Sequence, residues 1–198
     1  MTSRYVLVLL LPLAVACAEP QGAAYFPKLH RGAQLEYNIE YITPLGGVQR
    51  GTMVSRTEGD TTIDGRGYER TVTVISGIPG MSPQFIGYTR RTREGLYEID
   101  TTAAPGTEVL VTPFPVVVGS TWSARVGASL TNSRVEAIER MALVSRTYDD
   151  CLKVSSTQIS NGVTSTGTSW YARGVGLLKY VGESRGLRMQ LTLAEPTH

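Results

Sequence analysis

Residues able to carry chemistry are few in this chain. Two cysteines and two histidines occur among 198 residues. His30 lies in an N-terminal loop and His198 is the last residue. No Cys/His set has metal-site spacing, and neither a phosphate-binding glycine loop nor a Gly-x-Ser-x-Gly elbow is present. Gly59–Gly67 contains Asp60 and Asp64 but lacks the ligand pattern of a calcium loop. Asp149 and Asp150 are neighbours, so in a strand they would face opposite sides, and the sequence reads better as a turn there. Two distant carboxylates could still meet in the fold, as glycoside hydrolysis requires, with Asp64, Asp149 and Asp150 as candidates. The expectation is a protein with no enzymatic activity, no metal and no cofactor.

Cys17 stands apart because of what precedes it. Arg4 supplies a positive start, Val6 to Val15 form an apolar run broken by Pro12, and small residues follow. The run is too short to cross a bilayer, which takes about 20 apolar residues. Two cleavages fit. Ala14-Val15-Ala16 permits a cut before Cys17, and Ala16-Cys17-Ala18 permits one before Glu19. The first leaves Cys17 as the new N-terminus; the second yields a soluble secreted protein. The segment resembles the bacterial lipobox, with Ala14 where Leu is preferred and Leu13 one place further back. That resemblance favours the first cut. It implies a lipid on Cys17, a permanent membrane tether and, with Ala18 rather than Asp after the cysteine, sorting to the outer membrane facing the periplasm.

Removing residues 1–16 leaves 198 − 16 = 182 residues, one sizeable domain or two small ones, enough for a proper core. It also removes Arg4, leaving 19 − 1 = 18 basic against 17 acidic residues. Such a balance excludes a nucleic-acid binder by charge. Arg90, Arg91 and Arg93 form a small cluster, read as a solvated strand face or turn, with an anionic-lipid contact as the alternative. Cys151 sits in a strand-like Cys-Leu-Lys-Val segment and reads as a small buried apolar side chain.

Residues 17–24 read as a tether and 25–194 as a single domain. Leu35, Tyr37, Ile39 and Tyr41 alternate with polar residues, the pattern of a half-buried strand. Gly46-Gly47 and Asp64-Gly65 mark hairpin turns. Strands then fit 48–57, 70–75, 85–91, 95–100, 107–111, 121–126, 151–159, 165–172, 177–182 and 187–193. Residues 134–144 are open between strand and helix, because Val135, Ile138 and Met141 have helix-like spacing. The whole predicts an all-β fold, a curved antiparallel sheet forming a half-barrel or open barrel.

An internal repeat supports two similar meander halves of about five strands each, 25–104 and 113–194. Phe26-Pro27 with Gly32 matches Phe114-Pro115 with Gly119, Tyr68 to Val74 matches Tyr148 to Val154, and Tyr88 with Gly95-Leu96 parallels Tyr171 with Gly176-Leu177.

The stretch Trp170-Tyr171-Ala172-Arg173-Gly174-Val175-Gly176-Leu177-Leu178-Lys179 resembles a Trp-Tyr-Ala-x-Gly-Val-Gly motif of uncharacterised bacterial envelope lipoproteins. Tyr25-Phe26-Pro27 with Gly32, and Asp150 to Val154, resemble two further stretches of those chains. The family brings no assigned chemistry. Its architecture is similar to the half-barrel of lipoprotein-carrier and lipid-binding proteins, which implies an apolar or amphipathic ligand such as lipid in the concave face. Physically, Gly174 and Gly176 suit a tight turn, while Trp170 and Tyr171 point to opposite faces of a strand. The motif is thus a folding element first and a binding element second. The partners expected are the membrane, through Cys17, and either lipid or another envelope protein in a purely structural or interaction role.

Overall fold

The computed structural model describes residues 19–81, 83–101, 106–144 and 146–194. The leader, Cys17 and His198 lie outside the described residues. A 3-10 turn at Ala23–Tyr25 precedes twelve strands. These are β1 (Gln34–Ile42), β2 (Val48–Ile63), β3 (Arg66–Ser76), β4 (Gln84–Arg91), β5 (Gly95–Ile99), β6 (Glu108–Pro113), β7 (Thr121–Val126), β8 (Ser129–Ala142), β9 (Thr147–Ser160), β10 (Val163–Ala172), β11 (Gly176–Ser184) and β12 (Leu187–Leu193). The described residues contain no α-helix.

All twelve join one sheet in the order β6-β5-β4-β3-β2-β1-β12-β11-β10-β9-β8-β7. Two meanders of six strands, rather than about five, thus meet where β1 pairs antiparallel with β12. There Tyr37 lies opposite Leu193, Ile39 opposite Leu191 and Tyr41 opposite Met189. The predicted alternation of β1 is realised, since Tyr37 and Ile39 are buried while Glu36 and Asn38 are exposed.

The sheet curls into a nearly closed barrel. No backbone ladder joins the outermost strands β6 and β7. Side chains cross the seam instead. Trp122 Nε1 donates to the Val111 carbonyl at 2.7 Å, and the Asp100 carboxylate accepts the Gly127 amide at 2.6 Å. Both bonds satisfy polar groups that an open sheet edge would leave unpaired.

Hairpin chemistry explains much of the topology. Asp64-Gly65, Asn161-Gly162 and Arg185-Gly186 all have positive φ at both positions, the conformation of two-residue hairpins that match strand twist.

Of residues 134–144, all up to Ala142 are strand and the last two begin the β8–β9 connection; the helix-like spacing has a local cause. Val135 lies opposite Val154 and Ile138 opposite Leu152, so three steps along β8 match two along β9 across a bulge. A second irregularity follows between Glu139 and Met141. It corrects the reading of Asp149-Asp150 as a turn. These residues lie inside β9, opposite that irregularity, with Asp150 at φ 54. A one-residue kink within a strand carries the same small polar residues as a turn, so the sequence alone did not separate the two.

Candidate functional site

Most of the concave face is filled. Tyr37, Ile39, Ile78 and Leu191 anchor one apolar cluster, joined by Met53, Ile75, Met189 and others. Cys151, Ala172 and Leu178 centre another, each no more than 3% exposed. A third, built on Tyr25, Val116, Val135, Leu152 and Val154, closes one end of the barrel. The small hollow on the concave side of β8–β11, about 170 Å³, is lined mainly by Ser, Thr and Gln. A filled face of this kind leaves no long apolar groove there.

Space opens instead where the sheet divides. β3 pairs with β4 only from Glu69 opposite Thr89 to Val74 opposite Gln84. Beyond that row β3 stays with β2, Tyr68 opposite Thr61, while β4 stays with β5, Arg90 opposite Tyr97 and Arg91 opposite Leu96. The sheet therefore forks. Between its arms lies a cavity of about 400 Å³, lined by Asp60, Thr62, Tyr68, Glu69, Thr89, Arg91 and Leu96 and roofed by Phe26, Pro27 and Lys28.

Each arm is fixed by a charged group. On the side of Tyr68 and Arg90, Glu108 takes two bonds from Arg90, at 2.6 and 2.7 Å, and one each at 3.0 Å from Tyr68 Oη and Arg66. Its carboxyl is held below the ordinary range, first by the Arg90 hydrogen bonds, against a burial effect of opposite sign. On the cavity side Arg91 donates to the carbonyls of Ala23 at 3.1 Å and Phe26 at 2.8 Å, with Glu19 at 3.2 Å. Glu69 accepts the Leu29 amide at 2.9 Å, and Lys28 reaches Asp60 at 2.8 Å. Residues 19–29 are thus strapped across the fork by its own lining.

Asp60 and Glu69 are directly opposite in register and share one face. Burial, and then the Asp60 charge among lesser causes, leaves the Glu69 carboxyl above its ordinary range despite the Leu29 bond. The cavity therefore combines a carboxyl of raised pKa, an ion pair, a guanidinium and the apolar surfaces of Phe26 and Leu96. Such a set suits a small molecule with a polar head and a short apolar part.

Glu98 lies one strand further, opposite Thr89, and burial raises its carboxyl. Its charge also reaches Tyr171. Among the described residues no group of three or more His, Cys, Asp or Glu could hold a metal.

The residues named from sequence fall into two groups. Trp170 lies on the face opposite Tyr171, donates Nε1 to Glu139 at 2.7 Å, and has Lys153 and Lys179 near its ring. Tyr171 packs against Phe26 with ring centroids 5.0 Å apart. Gly174, at φ 71, donates its amide to the Ala24 carbonyl at 2.8 Å, and Gly176 lies against Pro27. Tyr25 Oη donates to the Asp150 carbonyl at 2.9 Å. The three stretches singled out by resemblance therefore meet in space, at the strap. Of the arginine cluster, Arg90 and Arg91 hold opposite faces of the fork, and Arg93 is exposed in the β4–β5 turn.

The candidate carboxylates are not brought together. Asp64 sits at the β2–β3 tip beside Gly106, Asp149 pairs with Arg140 at 3.2 Å, and no contact joins the two places. Glu69, Glu98 and Glu108 were not singled out from sequence. Alternation alone would have put Glu69 on a polar face, and only the fork makes that face a cavity wall.

No protein-family profile and no curated protein sequence matches the chain. Solved structures do resemble it. One is described as an exported protein with a YmcC-like fold, from Bacteroides fragilis, at 12% identity over 89% of this chain and 98% of that one, TM-score 0.54. Another, described as a lipoprotein from Parabacteroides distasonis, gives 15% identity, 86% and 97% coverage and a TM-score of 0.49. A LolA superfamily protein from Nitrosomonas europaea superposes more loosely, at 9% identity, 87% and 88% coverage and a TM-score of 0.29. At these identities the likeness concerns the fold, and only the first superposes closely enough to argue from. The chain has the all-β fold of that first structure along nearly its whole length.

Proposed function

We propose that this chain is a lipid-anchored protein of the bacterial envelope that holds a small amphipathic ligand in the forked cavity. The observation that carries the reading is the cavity's lining together with its roof. Charged and hydroxyl groups converge with Phe26 and Leu96 around about 400 Å³, within the size range of small-molecule sites. The strap that roofs this space begins two residues beyond Cys17, the residue that the leader marks for acylation. The ligand then sits in the fork, since the rest of the concave face is occupied by side chains. No catalysis is part of this proposal.

The test is to purify the protein from its native membrane and analyse small molecules released on denaturation. A Thr89→Trp variant, which fills the cavity from β4, should retain the fold and lose the released molecule. Equal amounts from both proteins would refute the site.

A second reading, an interaction protein without a small ligand, has its own observation. Val54 pairs with Val74 and Val72 with Ile86 on the face opposite the core, and Val74 and Ile86 are 40% and 38% exposed. Cross-linking in cells through a photo-reactive residue at Val74 decides it. One abundant protein adduct supports this reading, and its absence counts against it.

A further inference from the structure

The two ends of the barrel differ in charge. At the strap end, the N-terminal segment and the connections between strands carry exposed Lys28, Arg31, Arg93, Arg146 and Arg173, against acidic Glu19, Asp64 and Glu94, with Lys28 engaged by Asp60 and Glu19 by Arg91. Glu94 is engaged by Tyr97 Oη at 2.8 Å. Of the turns at the other end, 43–47, 127–128 and 161–162 carry no charge and 185–186 carries Arg185, while Asp100 after β5 is buried and engaged by the Gly127 amide. Val118 and Val144 are also exposed at the strap end, at 54% and 100%.

The chain leaves the body at this same end, and it leaves without slack. Glu19 pairs with Arg91, the Gln21 carbonyl accepts the Val116 amide at 2.9 Å, and Tyr25 is fully buried. Only Ala18 separates Glu19 from Cys17, so a lipid on Cys17, two steps along the chain, can stand no more than about 7 Å from the docked chain.

We infer that the strap end is a membrane-docking face, seated on an anionic phospholipid surface by its basic rim and short tether, with the forked cavity beside the headgroups. The inference rests on the proposed acylation of Cys17. The charge pattern selects the occupant: a bilayer bearing phosphatidylglycerol offers the complementary sign over a broad flat area. A tether this short holds that rim within the range where such attraction acts, a Debye length of about 8 Å at physiological salt.

The experiment uses the full lipidated protein in vesicles of phosphatidylethanolamine with a quarter phosphatidylglycerol. Spin labels are placed singly at Val118, Val144 and Leu45, the last being 98% exposed in the 43–47 turn at the far end. A nickel-chelating lipid supplies the relaxation probe. Relaxation at positions 118 and 144 should exceed that at 45 severalfold. The difference should shrink in phosphatidylcholine and in the double variant Arg31→Glu, Arg93→Glu. A flexible insertion of about ten Gly/Ser residues after Ala18 should weaken it further while the protein stays on the vesicles. Equal relaxation at the three positions, or a stronger effect at 45, overturns the docking face. A protein that fails to float with vesicles, and equally so as Cys17→Ser, overturns the anchor itself, a separate and visible failure.

Discussion

Phe26 and Tyr171 lie with ring centroids 5.0 Å apart and planes inclined by 48°, joining the N-terminal strap to the strand before the β10–β11 turn. Phe114 stands 6.2 Å from Phe26 on another side. This aromatic contact is the latch of the strap. Phe26→Ala should cost about 3 kcal/mol, near the low end for a large aromatic because the site is half-buried. Limited trypsin digestion would read it directly: cleavage at Lys28 and Arg31 should accelerate in the variant while the barrel strands stay protected. An unchanged digestion pattern would place the latch elsewhere.

Glu98 gives a pH signature. Burial raises its folded-state pKa above the ordinary carboxyl value, so the folded protein binds the proton more tightly than the unfolded chain. Stability therefore falls as pH rises from the ordinary carboxyl range through the raised folded-state value, and the loss persists above it. Glu98→Gln should melt higher than the parent at pH 7 and match it near pH 4. Glu108 has the opposite sign. Its folded pKa is lowered, so its contribution is present at neutral pH and fades as acid protonates it. Thermal melts of Glu108→Gln at the same two pH values should thus show their larger deficit at pH 7.

Arg185 occupies a left-handed backbone position at φ 49, followed by Gly186. Asn is favoured there and Arg is not. Arg185→Asn should stabilise by about 0.5–1 kcal/mol, the scale of such turn corrections, as measured by urea midpoint with an unchanged slope. A shift in the destabilising direction would mean that the arginine side chain contributes more than its backbone costs.

Cys151 is fully buried, its thiol donating to the Tyr148 carbonyl at 3.5 Å and pushed above its ordinary pKa by burial. Its reaction with a thiol reagent should be negligible in the folded state and appear only with unfolding in denaturant. Rapid labelling of native protein would contradict this.

Much of this fold was legible because antiparallel strands with one buried face alternate, and β1 does so from Leu35 to Tyr41. One hairpin announced itself through Asp64-Gly65, whereas Asn161-Gly162 carries the same turn chemistry and was not singled out. What misled was the bulge: Val135 and Ile138 mimic a helix because an extra residue interrupts the pairing, and Asp149-Asp150 mimics a turn for a related reason. The cavity was not legible. It arises where β3 and β4 part company after Glu69 and Thr89, and nothing in the composition of either strand marks where a ladder stops. The strap was visible as motif but not as contact, since Gly174 and Ala24 meet only once the barrel has closed.

The most direct test of the account is native mass spectrometry of the mature protein released from its own membrane. The predicted species is a chain starting at an acylated Cys17 with one small amphipathic molecule bound, the bound mass absent in Thr89→Trp. An unmodified chain starting at Glu19, carrying nothing, would contradict it.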